Sequence, residues 1–155
     1  MTERFYDSAE NKSHLVLINT LVSKGNKLLI SKRSLEEPHE PGSWTIPGGK
    51  VEKTSGNIWN IIEKTMHDEV LEETGVELED VSPVFITNNT YIRSTGQHVI
   101  ALVFLSKWRN GNPVPLEDTT DVAWITRSEI GNYLFAPNVV KYLEMGFDAI
   151  DKNNA

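Results

Sequence analysis

Residues 67–75 of the chain read His-Asp-Glu-Val-Leu-Glu-Glu-Thr-Gly. This stretch closes a helical pattern that runs over Asn57–Thr74. Thr54 and Ser55 are candidate N-caps, and Gly75 occupies the position where a glycine commonly ends a helix. The sequence therefore predicts a long helix whose carboxyl end is strongly acidic.

Two of these acids fall on the apolar face of the predicted helix. At 100° per residue, Glu69 and Glu73 continue the stripe made by Ile58, Ile62 and Met66. Carboxylates on a buried stripe are costly, and the helix dipole and the like-charge i,i+4 pair add to that cost. A divalent cation such as Mg²⁺ or Mn²⁺, which prefers oxygen ligands, would relieve it. The alternative is a solvated acidic helix end.

The segment before the helix contains Pro47-Gly48-Gly49 within Trp44–Glu52. Paired glycines let the backbone turn tightly and approach a ligand closely. A glycine turn that faces a helix with carboxylates on one side would form a cradle for phosphates and metal ions. A pair of glycines on its own is usually just a turn.

The rest of the chain predicts a sheet with helices around it. Predicted strands are His14–Val22, Lys27–Arg33, Val81–Ile92, Gln97–Trp108 and Asp121–Ile125, with a short extended piece at Trp44–Ile46. Thr126 and Glu129 form a capping-box pattern, and Pro137 lies near the start of a last helix expected to end before Gly146. We expect an α/β (α+β) fold in which helices sandwich a mixed β-sheet. A single domain spans 1–155, with frayed tails at 1–13 and 151–155.

Composition excludes several classes of protein. The chain has no cysteine, which excludes disulfides and thiolate metal sites. Its formal net charge is −7, the wrong sign for binding a nucleic acid polymer. The longest apolar run, Val99–Leu105, is too short to cross a membrane, and the polar segment Met1–Ser13 is unlike a signal peptide. These features predict a cytoplasmic protein that uses neither a membrane nor a nucleic acid.

Together the glycine turn and the acidic end of the predicted helix resemble the Nudix (MutT-like) hydrolase family. Pro47-Gly48-Gly49-Lys50-Val51-Glu52 matches the start of the family's sequence box, and Glu69-Val70-Leu71-Glu72-Glu73-Thr74-Gly75-Val76 matches its end. Two features depart from the family pattern. The box is five residues longer here, and Asp68 replaces its arginine, while the glutamate partner of that arginine is also absent. Losing both partners strands no charge, and the extra residues predict an added turn at the helix start around Ser55–Asn60.

The resemblance implies a Nudix-type α/β/α sandwich and a metal-dependent hydrolase that cleaves a nucleoside diphosphate linked to another group. It implies that Glu69 and Glu73 are the principal Mg²⁺ ligands, that Glu72 is a third, and that the Gly48 carbonyl completes the shell, with Mn²⁺ as a substitute. These three glutamates are also the expected catalytic residues. The general base in the family is either a box glutamate or an acid in a late loop, and of Glu117, Asp118 and Asp121 we favour Asp118. Each of the three also fits an ordinary loop acid.

Candidate substrate-binding residues are Arg33, Trp44, Gly49 and Tyr91. Arg33 ends a strand near the place where the family often has a phosphate-contacting arginine, although a strand-end arginine is often simply exposed. Trp44 could stack on a base or pack beside Pro47. Tyr91 matches a tyrosine of some dinucleoside-polyphosphate hydrolases, or is an ordinary strand residue. The expected partner is a small nucleotide, and a homodimer is compatible with the family.

Three functions compete at this point. The first is a Mg²⁺-dependent pyrophosphohydrolase acting on a nucleotide. The second is a Nudix-fold nucleotide-binding or regulatory module with weak or no turnover, which the altered box favours and the complete glutamate set disfavours. The third is an isomerase of the isopentenyl-diphosphate type, disfavoured because that site uses a cysteine and this chain has none. The sequence does not select among nucleoside triphosphates, ADP-ribose and dinucleoside polyphosphates.

Overall fold

The structure is a computed structural model that describes residues 12–153. Two α-helices, one 3-10 helix and eight strands form the described part of the chain. The strands are β1 (Leu15–Lys24), β2 (Lys27–Arg33), β3 (Trp44–Thr45), β4 (Gly48–Lys50), β5 (Glu77–Leu78), β6 (Val84–Ile92), β7 (His98–Asn110) and β8 (Thr119–Ile125). The helices are α1 (Ile61–Thr74), the 3-10 helix Arg127–Asn132 and α2 (Val139–Asn153). Eight strands in one sheet with flanking helices confirm the predicted mixed α and β fold.

The sheet is mixed because one central pair is parallel. β1 and β7 run parallel over nine paired positions, from Leu15 opposite Val99 to Ser23 opposite Lys107. The remaining pairs are antiparallel, with β2 joining β1 to β3 and β8, and β7 joining β1 to β5 and β6. β4 pairs with the first half of β1, which brings the glycine turn onto the centre of the sheet.

The two faces of the sheet are covered by different helices. In β2, Leu28 and Ile30 pack with Leu143 of α2, whereas Leu29 between them packs with Val70 of α1. Successive side chains of a strand point to opposite faces, so α1 and α2 lie on opposite sides of the sheet. This arrangement is the expected sandwich.

The helix α1 begins later than the sequence predicts. Residues 51–60 form no regular helix or strand, and the N-cap of α1 is Asn60, in the left-handed conformation with φ 58°. The prediction of a start at Asn57 with Thr54 or Ser55 as caps is therefore wrong, as is the added helical turn. Ile58, expected on the buried stripe, lies in this loop and is 44% exposed. The five extra residues lengthen the loop instead of the helix.

The helix α2 continues through Gly146 instead of ending before it. A Cβ at position 146 would lie 2.8 Å from Leu21 Cδ1 and 3.2 Å from Leu28 Cδ1. The glycine therefore allows close packing of the helix on the sheet, and Asp151–Asn153 are helical and not a frayed tail. The first eleven residues and the last two lie outside the described part of the chain.

Two local predictions are confirmed. Gly75 ends α1 with φ 73°, and its N–H donates to the Leu71 carbonyl at 2.8 Å. Thr126 and Glu129 form the predicted capping box, in which the Thr126 N–H donates to Glu129 Oε1 at 2.9 Å. No helix among residues 12–153 is long and apolar enough to cross a membrane.

Candidate active site

A cleft of about 520 Å³ lies over the centre of the sheet, where β1 meets the glycine turn. One side carries the acids of α1, and the other side is formed by the end of β6, the loop after β2 and the start of α2. Six of the predicted site residues line this cleft: Arg33, Gly48, Gly49, Glu69, Glu73 and Tyr91. Residues distant in the sequence are thus brought together, because β4 lies between β1 and α1.

Glu73 is tied to the glycine turn by a hydrogen bond. The Gly48 backbone N–H donates to Glu73 Oε2 at 3.2 Å. Gly48 itself has no room for a side chain, because a Cβ there would lie 2.5 Å from Asn19 Oδ1 and 2.8 Å from the Ile18 carbonyl oxygen. The turn is therefore held against β1 on one side and reaches the acid of α1 on the other.

Glu69 lies directly against the second glycine of the turn. A Cβ at position 49 would fall 2.5 Å from both carboxylate oxygens of Glu69. No side chain larger than hydrogen fits between β4 and this carboxylate in its present position. Gly49 thus shapes the acidic side of the cleft by allowing α1 to approach.

The electrostatics of the two acids reflect burial and mutual repulsion. Burial raises the pKa of Glu73 to about 8, and the charge of Glu69 is the second cause. The hydrogen bond from Gly48 and the charge of Arg33 act against this rise in the pKa of Glu73. The pKa of Glu69 is raised to about 7, first by burial and then by Glu72 and Glu52. Both carboxylates therefore favour protonation or a nearby cation.

A smaller cavity of about 110 Å³ adjoins the cleft and contains three further predicted acids, whereas Asp121 lies outside it and accepts a hydrogen bond from the Val122 N–H. Glu72, Glu117 and Asp118 line it together with Glu69 and Glu73. Among residues 12–153, no group of three histidine, aspartate or glutamate side chains is arranged so that it could hold a metal ion. In this conformation Glu72 therefore does not complete a three-carboxylate set with the other two glutamates.

The loop that carries Glu117 and Asp118 is fixed to the end of α1. The Leu116 N–H donates to the Glu73 carbonyl at 3.0 Å, and the Val114 N–H donates to the Thr74 carbonyl at 2.9 Å. Glu117 has φ 53°, an uncommon conformation for a residue other than glycine. Its charge is among the causes that raise the pKa of Glu69. Glu117 is therefore as good a candidate as Asp118 for the general base beside Glu69.

Arg33 connects the acidic side of the cleft to the loop after β2. Its Nε donates to the His39 carbonyl at 2.8 Å, and Nη2 lies 3.3 Å from Glu37 Oε2. His39 Nδ1 in turn lies 3.2 Å from Ser94 Oγ, just beyond β6. The loop therefore spans from one edge of the cleft to the other.

Trp44 and Tyr91 have different surroundings. Tyr91 lines the cleft, and burial raises the pKa of its hydroxyl. Trp44 is absent from the residues that line it and packs edge-on against Tyr133, with ring centroids 4.9 Å apart. The structure favours packing of Trp44 within the protein over stacking on a base. We therefore leave Trp44 out of the proposed site.

Several cleft residues were missed by reasoning from the sequence. His39 and Glu40 come from the exposed loop, Arg93 and Ser94 from the turn after β6, and Tyr142 from α2. The Tyr142 hydroxyl donates to Asn89 Oδ1, and burial raises the pKa of Tyr142 to about 12. No local motif marks these residues, because only the packing of β6 and α2 brings them to the cleft.

The family model for the NUDIX domain matches residues 13–144. The chain belongs to the Nudix family. A "MutT-like protein" of Streptomyces ambofaciens is 27% identical over 133 residues, covering 84% of this chain and 73% of the relative. The glycine turn and the glutamates of α1, whose sequences resemble the two ends of a Nudix box, both lie within the matched range.

Solved Nudix structures share the fold. The MutT NUDIX hydrolase from Burkholderia pseudomallei superposes with a TM-score of 0.68 at 23% identity, covering 86% of this chain and 98% of its own. A bifunctional NMN adenylyltransferase/ADP ribose pyrophosphatase from Francisella tularensis, complexed with AMP and a Mn ion, superposes with a TM-score of 0.69 at 20% identity. That match covers 96% of this chain and 45% of the bifunctional protein.

Most of the altered positions of this Nudix box lie away from the cleft, and Glu52 at the start of the lengthened loop is the exception. Asp68, which replaces the arginine of the pattern, pairs with Lys64 on the exposed side of α1. The lengthened loop 51–60 is largely exposed, and Trp59 within it is 81% exposed. The departures therefore change the outer face of α1 and leave the contacts of Glu69 and Glu73 with the glycine turn intact.

Proposed function

We propose that this Nudix protein is a Mg²⁺-dependent pyrophosphohydrolase that cleaves the diphosphate linkage of a nucleotide. One observation carries the proposal. Glu69 and Glu73 both lie against the glycine turn at the base of an open cleft, burial raises the pKa of both, and the charge of Glu69 raises the pKa of Glu73 further. Such a pair is stabilised by a divalent cation and is poorly explained as a purely structural feature.

The donors present fit Mg²⁺ or Mn²⁺. Glu69 and Glu73 supply carboxylate oxygens, and the Gly48 carbonyl is the third donor that the resemblance suggests. Glu72 would have to move toward the pair, since the described side chains form no three-carboxylate group. When bound, the metal supplies charge neutralisation of the diphosphate and lowers the pKa of a bound water.

The chain's own residues have three tasks in this proposal. Glu69 and Glu73 hold the cations, and Gly48 and Gly49 keep those carboxylates in place against the sheet. Arg33 lies beside the acids, where its guanidinium can contact a phosphate oxygen. In the overall reaction one phosphoanhydride P–O bond breaks, the oxygen of water forms a new P–O bond, and its proton leaves to a base.

Two acids are candidates for that base. Asp118 and Glu117 both line the cavity beside the glutamates. The anchored loop and its effect on Glu69 favour Glu117 as the residue to compare with Asp118. Separate Glu117→Gln and Asp118→Asn variants distinguish them, because only removal of the base should lower kcat by about 10²-fold or more.

The test is a panel of nucleoside triphosphates, ADP-ribose and dinucleoside polyphosphates with Mg²⁺, with products identified by mass spectrometry. Hydrolysis that stops in EDTA and is lost in Glu73→Gln, but is retained in Asp68→Asn, supports the proposal. The two variants are matched, since each removes one charge from the same helix and only one of them lies in the cleft. Tight nucleotide binding without turnover on any substrate would instead support the binding or regulatory module.

A further inference from the structure

Arg93 is a charged side chain in the cleft that the proposed chemistry leaves without a role. It follows the end of β6 and lines the cleft on the side away from α1. Its Nη1 lies 3.2 Å from the neutral amide oxygen of Gln97, and its buried Nε has no hydrogen-bond partner. Within the described part of the chain, no carboxylate forms an ion pair with Arg93. Within residues 12–153 its charge is therefore uncompensated.

Arg93 and Arg33 both act on His39 and Tyr91, which puts the two arginines in the same part of the cleft. Both guanidinium groups lower the pKa of His39, and both act on the Tyr91 hydroxyl. Arg33 also acts on Glu73, on the metal-binding side. Cationic charge therefore extends from the acids past Arg33 to Arg93 on the opposite edge.

His39 and Ser94 complete the surroundings of Arg93. The contact between His39 Nδ1 and Ser94 Oγ, at 3.2 Å, brings two further polar groups to this edge of the cleft. Glu37 compensates the charge of Arg33, and Glu40 acts on His39. Among the described residues at this edge, the charge that remains free for a ligand is thus mainly that of Arg93, which follows β6 and lines the same cleft as the glutamates.

We propose that Arg93, with His39 and Ser94, forms a subsite for a phosphate group beyond the diphosphate held at Glu69 and Glu73. The subsite would favour nucleotides with a chain of three or more phosphates over nucleotide sugars with two. The inference rests on the proposed function, because it takes the glutamate side of the cleft as the place of the scissile diphosphate. Arginine suits this task because it forms bidentate, charge-assisted hydrogen bonds with phosphate oxygens.

Steady-state kinetics with ATP, diadenosine tetraphosphate and ADP-ribose test the preference. In Arg93→Gln we expect KM for the first two to rise about tenfold or more, with kcat within about threefold. KM for ADP-ribose should change less than about threefold, and Arg93→Lys should restore part of the loss. A loss confined to ATP or to the dinucleotide also supports the subsite and identifies which polyphosphate it serves.

The matched control is Arg109→Gln, which removes the same charge from an exposed residue of β7 that lines a separate surface cavity. It should change none of the three KM values. An equal KM increase for ADP-ribose in Arg93→Gln, or an unchanged KM for both polyphosphates, overturns the subsite while the hydrolase function stands. Melting curves of both variants verify that they are folded.

A binding measurement separates this inference from the proposed function. With Ca²⁺ in place of Mg²⁺, so that the glutamates can still hold a diphosphate through a cation, calorimetry with inorganic tripolyphosphate and pyrophosphate measures binding, and analysis of the cell contents verifies that neither anion is cleaved. Wild-type protein should bind tripolyphosphate more tightly, and Arg93→Gln should remove most of that difference. If the wild type hydrolyses nothing, the proposed function fails, yet this comparison still decides the subsite. Equal binding of both anions by the wild type overturns it.

Discussion

Gly49 lies so close to Glu69 that a Cβ at position 49 would fall 2.5 Å from both of its carboxylate oxygens. Gly48, the preceding residue, donates its N–H to Glu73 one helical turn further on. The two adjacent glycines therefore position two carboxylates that lie one turn apart on α1. This relationship explains why a glycine pair and a helix far apart in sequence act as one unit.

Gly49→Ala should reduce hydrolysis by about 10²-fold, because Glu69 must turn away from its place in the cleft and a displacement of about 1 Å in a catalytic group has that effect. Its φ lies outside the left-handed region, so the change tests the clash and not backbone strain. Gly56→Ala is the control, since an added Cβ there meets nothing within 4 Å. Initial rates of both variants decide the matter, and equal rates would contradict the assigned role of Gly49.

Glu73→Gln should raise the thermal stability of the metal-free protein while abolishing most of the hydrolysis. Glutamine keeps the shape of the side chain and removes a charge that is buried, close to Glu69 and at the negative end of a helix. The gain should be on the order of 1 kcal/mol, or about 2–4 °C in Tm for a domain of this size. Melting curves in EDTA measure it.

With saturating Mg²⁺ the order of stability should reverse, because only the wild type binds the ion tightly and is stabilised by it. Glu144→Gln, an exposed change on α2, should leave both melts unchanged within about ±0.5 kcal/mol. A Glu73→Gln protein that is less stable than wild type in EDTA would mean that Glu73 is satisfied by the protein alone.

The metal-free protein should lose stability as the pH rises through the range of these glutamates. Folding raises the pKa of Glu69 to about 7 and of Glu73 to about 8, from an ordinary value of 4.5. A raised carboxyl pKa means that folding favours the protonated form, so this contribution is complete below pH 4.5 and is lost as the pH approaches 8.

His39, whose pKa is lowered by burial, has the opposite dependence on pH, so the wild type and Glu73→Gln should be compared directly. Urea unfolding in EDTA at several pH values measures the difference. Glu73→Gln should show the weaker decline between about pH 5 and pH 8, a window set by the pKa of about 8 for Glu73. Parallel curves would show that Glu73 does not titrate in this range.

Asp68→Asn should leave turnover within about threefold of wild type. The Asp68 carboxylate pairs with Lys64 on the exposed side of α1, and solvent screens such exposed pairs so that they contribute little to stability. Initial rates at saturating Mg²⁺ measure the effect. A loss of about 10²-fold would mean that the charge of Asp68 controls Glu69, with which it interacts electrostatically.

Local patterns predicted those parts of the structure that depend on nearby residues. The Gly75 helix end and the Thr126–Glu129 capping box both appear as expected, because each is formed by groups a few positions apart. The placement of Glu69 and Glu73 on the same side as Met66 also followed from helical periodicity.

The predictions of two helix boundaries were wrong, for opposite reasons. Gly146 signalled a helix end, but the helix continues because that glycine admits Leu21 and Leu28 of the sheet. The sequence around Asn60 gave no strong signal for a helix start. Asn60 is nevertheless the N-cap of α1, in the left-handed conformation, so the five extra residues lie in the loop before the helix. Packing against the sheet decided the boundary at Gly146, and local propensity could not report it.

The sequence by itself predicted the mixed α and β fold and the placement of Glu69 and Glu73 on one face of a helix, since these follow from spacing along the chain. The resemblance of its motifs added the Nudix family. Only the tertiary structure decided which other groups share the cleft. It brought Arg93 and His39 to one edge of the cleft and packed the partly buried Trp44 against the hydrophobic core. The physical reason is that β6, the loop after β2 and α2 meet through long-range packing, for which no local stretch of sequence carries a pattern.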